Sequence, residues 1–412
     1  MNGVEAAVAE AHRLEWARVL GATARAVRDF DVAEEAAQDA FERALRTWPR
    51  DGIPARPGAW LTIVARRRAL DLLRRQETGR RALALVVDEA PTPATGELDD
   101  DRLRLVCTCC HPALSVEAQV ALTLRLVCGL TTVEVARAFL VNEATMAARI
   151  TRAKKKIAAA RIPYRVPPVE ELPARVDAVL HVVHLLFTTG HNSPAGDRLI
   201  RPDLVTRAID LARLLHKLLP GSADVTGLLA LVVLTDARRA TRVDGDGRLL
   251  LLSEQDRRQW DREAIATGRA LAGEALAADA GSRYALQAAI AAVHGSAETW
   301  EATDWRAIVG LYDRLVRAWP SPVVALNRAV AIGMAFGPAA GLAAVNMVAT
   351  DPGLRGYRYL PAAKADFLRR LGRHDEAAAA YEEAIALTDN EVERAFLAGR
   401  RAEVTATATP PR

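Results

Sequence analysis

Cysteine is scarce in this 412-residue chain, with four in all. That excludes a small secreted scaffold stapled by disulfides. No apolar run is long enough to span a bilayer. The N-terminus lacks a charged-then-apolar export pattern. The expected location is therefore the cytoplasm, with no membrane partner. A nucleophile–base pair, a phosphate-cradling loop and a glycine-rich dinucleotide fingerprint are also missing. The expectation is a protein that is not an enzyme and uses no cofactor. Credible pairs of alternating strands are absent too, so the expected fold class is all-α. Half of the residues are hydrophobic, enough for large cores, and the length suggests two or three domains.

What charge there is lies unevenly. The net charge is only +4. Up to Val169 there are 26 basic and 21 acidic residues, and beyond it 29 and 30. Within the first part, residues 60–81 hold seven arginines against two acids. Residues 143–165 hold seven Lys or Arg against Glu143 alone. Two separated basic stripes fit two contacts on one polyanion.

The stretch Asp31–Arg75 carries the clearest pattern. Ala33, Ala37, Ala40, Phe41, Ala44 and Trp48 recur at helical spacing and predict one apolar face. Asp31, Glu34, Glu35, Gln38, Asp39 and Glu42 lie mostly on the other side. A Pro/Gly-rich turn follows, PRDGIPARPG, and then a second helix, AWLTIVARRRALDLLRR. Leu61, Val64, Ala65 and Leu72 should face its core. Arg67, Arg68, Arg74 and Arg75 form an opposed stripe, and Trp60 opens the helix. Taken singly, each charged face could simply be solvated. Before this stretch, residues 5–28 read as an amphipathic helix, with Ala11, Leu14, Val19 and Val27 among its apolar positions. The three helices predict a small bundle.

From Thr78 the period breaks, and the acidic, Pro-containing PTPATGELDDD reads as linker. Its acids could sit on the basic stripes or be merely solvated. Cys107, Cys109, Cys110 and His111 follow in CTCCHPAL. A metal is one reading, but the spacing is not that of a closed zinc site. Buried cysteines at a helix end are preferred, with no metal. Residues 115–128 predict a helix stopped by Gly129. Thr131 and Glu134 have capping-box spacing ahead of VEVARAFL. Asn142 can cap EATMAARITRAKKKIAAAR, whose buried face would be Met146, Ile150, Ala153 and Ile157. Thr145, Arg149, Arg152 and Lys156 share the opposite face. Helix, short turn and basic helix make a helix-turn-helix. Arg149 and Arg152 are candidates to read guanine edges in a major groove, and Lys154, Lys155 and Lys156 to neutralise phosphates.

Pro163, Pro167, Pro168 and Pro173 mark the next boundary. Beyond them every segment has helical period, at 174–187, 203–218, 224–240, 253–278, 282–294, 304–318, 322–335, 337–349, 361–371, 374–387 and 390–402. Gly372, Ala377, Tyr381 and Ala384 stand where a tetratricopeptide repeat packs its helix pair, and DWRAIVGLYDRLVRAWPSP looks like a degenerate half-repeat. An α-solenoid is expected. His181 and His184 read as core or surface histidines and DGDG at 244–247 as a turn. The polar loop TTGHNSPAGDRLIRP is long for such an array.

The first 160 residues resemble the extracytoplasmic-function group of the sigma-70 family. VAEEAAQDAFERAL (32–45) is similar to that family's region 2.2, and PGAWLTIVARRRALDLLRR (57–75) to regions 2.3 and 2.4. Residues 114–157 are similar to region 4. CTCCHPAL, VALTLRLVCGLTTVEVARAFLV and SPVVALNRAVA resemble one subgroup with a tetratricopeptide-like C-terminal extension. The resemblance implies region 2 at 1–77, a linker at 78–106, region 4 at 107–165 and a regulatory extension at 172–402. It implies that Glu34, Glu35, Gln38 and Asp39 dock on the β′ clamp helices of core RNA polymerase. It implies that Trp60, Arg67, Arg68, Arg74 and Arg75 hold the melted strand of promoter DNA. Helix 143–156, with Thr145, would read the minus-thirty-five element as duplex. Arg67 departs from the family, where many relatives have Asn, which weakens a base-specific role there but not a phosphate contact. The extension would answer to a protein or ligand partner. The rival reading is a one-component regulator with one helix-turn-helix and a solenoid sensor.

Overall fold

A computed structural model describes residues 3–77, 100–139, 141–168 and 170–408. The linker reading of 78–99 lies outside them. The described residues are mostly helical, with almost no sheet, and they divide into two compact units, 1–183 and 184–412.

In the first unit, α1 (Gly3–Val27) and α3 (Pro57–Glu77) both pack against α2 (Phe30–Asp51). The reason is the alanine stripe of α2. Ala33, Ala37, Ala40 and Ala44 are fully buried, and such small side chains let neighbouring helices approach closely. Trp16 and Phe41 fill the space beside the stripe, their rings 5.9 Å apart. Asp29 caps α2, its Oδ1 accepting from the N–H groups of Asp31 (2.8 Å) and Val32 (3.1 Å). The helix runs past Pro49, where a turn was expected, and ends at Gly52 (φ 80°). On α1, Leu14 is exposed rather than in the core, unlike Ala11, Val19 and Val27.

Residues 101–106, expected within the linker, belong to a helix, α4 (Asp101–Cys109), capped by Asp100. Leu103, Leu105 and Val106 are buried, which is why the segment is ordered. Gly21 of α1 lets α4 come close, since a Cβ there would stand 2.8 Å from the Asp101 carbonyl oxygen. The helix expected over 115–128 is α-helical only as α5 (Val116–Leu122), then widens into a π-turn over Thr123–Val127. The Leu126 carbonyl, in the helix's last turn, accepts from the Trp16 indole N–H at 2.9 Å. Gly129 follows at φ 70° and presses on the Trp16 ring, leaving no room for a side chain. Then come α6 (Thr132–Ala138), α7 (Glu143–Ala159) and α8 (Leu172–His191), which crosses the division between the units.

The second unit is an α-solenoid of helices stacked in chain order. These are α9 (Pro202–Leu218), α10 (Ala223–Asp236), α11 (Arg262–Ala278), α12 (Arg283–Ser296), α13 (Trp305–Ala318), α14 (Pro322–Phe336), α15 (Pro338–Val348), α16 (Tyr359–Arg370), α17 (His374–Ala386) and α18 (Glu391–Ala408). The single helix expected at 253–278 is instead a 3₁₀ turn at Arg257–Gln259 and then α11, because Asp261 accepts from Ala264 N–H (2.9 Å) and caps a new start. The reading of no strand pairs also needs correcting. Ala195–Gly196 and Asp389–Asn390 pair as two-residue parallel strands, β1 and β2. The buried Asn390 amide fixes them by donating to the carbonyls of Ser193 (3.2 Å) and Arg198 (2.9 Å). The polar loop after α8 is thereby tied to the last helix.

Candidate nucleic-acid interface

The helix-turn-helix is built by two caps. Thr131 Oγ1 accepts from Glu134 N–H (3.2 Å), and Glu134 Oε2 accepts from Thr131 N–H (2.7 Å), a reciprocal box that starts α6. Asn142 Oδ1 accepts from Thr145 N–H (2.8 Å) and starts α7. Met146, Ile150, Ala153 and Ile157 are buried, as expected from their spacing. That turns the other face outward. Thr145, Arg152, Lys155 and Lys156 are exposed, and Arg149 is half-buried with its guanidinium 5.4 Å from the Phe139 ring centre.

Lys154 behaves differently. Its ammonium is buried against α2, 2.7 Å from both Asp31 Oδ1 and Glu34 Oε2. Burial works against the charged ammonium, but Glu34 and Asp31 outweigh it and hold the pKa above that of an ordinary lysine. Glu34 is itself buried and also pairs with Arg125 from the π-turn. One carboxylate thus serves two cations, which satisfies a charge that would otherwise be costly inside the protein. Arg125 was not singled out in the sequence, and no local pattern marks it, because its partner stands on a distant helix.

Two further acids of α2 face α3. Arg68 pairs with Asp39, and its second nitrogen lies 4.0 Å from Glu35. Glu35 and Gln38 stay exposed. Along α3, Arg67, Arg74 and Arg75 are exposed, with Arg74 3.6 Å from Asp71. Trp60 is half-buried, edge-on to Trp48 with ring centres 5.7 Å apart. The acidic face of α2 therefore lies between the arginines of α3 and Lys154 of α7. The three charged clusters read from the sequence are joined through it.

The cysteines are packing groups. Cys107 and Cys109 end α4, Cys110 follows as its cap, and all three are buried, as is Cys128. Burial pushes the Cys107 thiol up to about 11 and the Cys110 thiol to about 12, so both hold their protons near neutrality. His111 Nδ1 accepts from Ala113 N–H (3.1 Å). Among the described residues no group of three His, Cys, Asp or Glu is placed to hold a metal ion.

Comparison with known proteins gives three matches along the chain. Residues 16–78 match sigma-70 region 2, and residues 107–157 match sigma-70 region 4. Residues 175–276 match a family of unknown function. An uncharacterized protein of Rhizobium meliloti (strain 1021) is 42% identical over 389 residues, covering 92% of each chain. No solved structure matches.

Proposed function

This chain belongs to the sigma-70 family of RNA polymerase sigma factors, and from that premise we propose that it is of the extracytoplasmic-function type, with a tetratricopeptide-like C-terminal extension that regulates it. As a sigma factor it binds core RNA polymerase and promoter DNA. In this reading Glu35, Gln38 and Asp39, with Glu34 behind them, meet the clamp helices of the β′ subunit. Arg67, Arg68, Arg74 and Arg75 track the backbone of the melted strand while Trp60 offers a ring for base stacking. Thr145, Arg149 and Arg152 read the upstream element in a major groove, and Lys154, Lys155 and Lys156 neutralise its phosphates.

The observation that carries this reading is the order of charge in the first unit. An acidic helix, an arginine-striped helix and a capped basic helix-turn-helix occur in one compact body. A lone helix-turn-helix regulator needs only the last. For the extension, Ala377, Tyr381 and Ala384 are buried between α16, α17 and α18, and Gly372 turns the chain at φ 72°. Small and aromatic residues at those places are what a helix-pair repeat requires.

The Asp31–Lys154–Glu34 bridge bears on mechanism. It occupies one group assigned to polymerase and one assigned to DNA, so both contacts cannot form until the bridge parts. The test is a pull-down of core RNA polymerase with the full chain, followed by run-off transcription on fragments of its own genome. Polymerase binding and new start sites are expected. The double reversal Glu35→Lys with Asp39→Lys should abolish polymerase binding. Retained duplex affinity with no polymerase association in the unaltered chain would hand the case to a one-component regulator.

A further inference from the structure

The second unit holds a half-enclosed cavity of about 740 Å³. That is the size of a small-molecule site. Its walls come from the 249–253 loop and from α12 to α14, α16 and α18. Nothing in promoter recognition uses it.

Three features give the cavity a chemistry. The first is an excess of cations. Arg358, Arg369, Arg370 and Arg400 line it with Asp366 and Glu393, and Arg400 is answered from outside the lining by Glu254 (2.7 Å) and Glu403 (3.1 Å), so the excess lies at Arg369 and Arg370. Glu393 is 2.9 Å from Arg358 and is spent there. Asp366 must serve both Arg369 (2.6 Å) and Arg370 (3.9 Å). Each guanidinium offers five N–H donors, so one carboxylate leaves many unanswered. The second is unmet polarity. Arg369 Nε and His294 Nδ1 are buried without a hydrogen-bond partner. Burial, with Arg238 and Arg257 nearby, pushes the His294 pKa down to about 3, so its imidazole is neutral at pH 7. The third is an aromatic wall. Trp300 and Trp305 meet edge-on at 4.9 Å, and His294 stands 5.1 Å from Trp305.

The ends of the array are joined across this space. β1 pairs with β2, and Arg400 of α18 reaches Glu254 beside the 249–253 loop at 2.7 Å. A half-enclosed cavity of this volume suits a compact ligand better than an extended peptide. We propose that this cavity binds a small organic anion, an aromatic body carrying one carboxylate, with Arg369 and Arg370 taking the carboxylate and Trp300 and Trp305 the ring. A buried donor left without a partner is what such a carboxylate satisfies. The proposal deepens the regulatory reading of the extension and rests on that reading only for its consequence in transcription.

The test uses the full chain with 8-anilinonaphthalene-1-sulfonate as reporter and 1-naphthoate and 1-naphthamide as competitors. One saturable site is expected, with the reporter displaced by naphthoate about tenfold better than by its neutral amide. Arg369→Gln and Arg370→Gln should each weaken naphthoate by roughly tenfold, the loss of one charge-assisted hydrogen bond. Asn327→Trp, at an exposed lining residue, should block the site by bulk alone. Thermal melting of each variant confirms that it folds. Absence of saturable binding overturns the proposal, as does equal displacement by the amide, or affinity unchanged in both Arg370→Gln and Asn327→Trp. Polymerase association is scored separately on the same preparation. Its loss with probe binding intact strikes the promoter reading and leaves the cavity, and the reverse result strikes only the cavity.

Discussion

At the scale of single residues, the most telling position is Glu34. The sequence marks it as acidic and helical, and nothing local says that it is buried. Its burial follows from Arg125 and Lys154, which reach it from other elements. Removing Glu34 strands Arg125 and leaves Lys154 only the exposed Asp31, whereas removing Lys154 leaves Glu34 with Arg125. Glu34→Ala should therefore cost about 3 kcal/mol and Lys154→Ala distinctly less. Urea unfolding of both variants and the double variant gives the coupling directly, and equal costs for the two singles would contradict this account. A second residue-scale effect concerns pH. His294 and His191 are pushed down to about 3 and about 2, first by burial and then by neighbouring arginines. The unfolded chain binds a proton at each near pH ~6.5. Their contribution is thus fully present above that pH and drains away as pH falls toward the folded values. The second unit should lose up to about 1.4 kcal/mol per pH unit per histidine below pH ~6. His294→Gln should flatten that slope by roughly half in urea midpoints taken at pH 7 and pH 5.

At the scale of elements, the sequence is informative wherever the cause of an element is local. The box at Thr131 and Glu134 and the cap at Asn142 form as their spacing predicts, and the buried face of α7 follows from its period. Asn142→Ala should cost about 1 kcal/mol and weaken duplex binding, since α7 would fray where Thr145 sits. Urea unfolding together with a salt-dependent DNA titration measures both, and an unaffected titration would detach the cap from recognition. Elements with a distant cause were not legible. The π-turn at Thr123–Val127 ends beside a bond from the Trp16 indole to the Leu126 carbonyl, a partner far away in the chain, and no local pattern marks it. β1 and β2 are two residues each, too short for any alternation to show, and they depend on the Asn390 side chain. Residues 101–106 looked like the end of an acidic linker because Asp100 and Asp101 were counted with it, although those acids begin a helix.

At the scale of the whole molecule, the all-α class and the stacked C-terminal array were legible because period and proline placement repeat over hundreds of residues. The cavity was not, since its walls come from separate helices and its arginines look like ordinary surface charge in sequence. The cluster of prolines at 163–173 marks a break in helical period, yet the compact units divide inside α8, between Val183 and His184. The reason is partly Arg175. It is buried, and its guanidinium donates to the Cys107 carbonyl at 2.8 Å, so the start of α8 belongs with the first unit. This sets where the chain can be cut. A fragment ending at residue 171 loses that hydrogen bond along with Val179, Leu180, Val182 and Val183, all buried. It should melt several degrees below a fragment ending at residue 191, given that about 1 kcal/mol shifts the midpoint of a domain of this size by roughly 2–4 °C. Transcription assays on the shorter fragment would then report instability as if it were loss of regulation. Comparing the two fragments by thermal melting and by polymerase pull-down separates these effects. If the longer fragment binds polymerase more tightly than the full chain does, the extension restrains the first unit. If it binds equally and only the promoter response to an added anion disappears, the extension acts through its ligand alone.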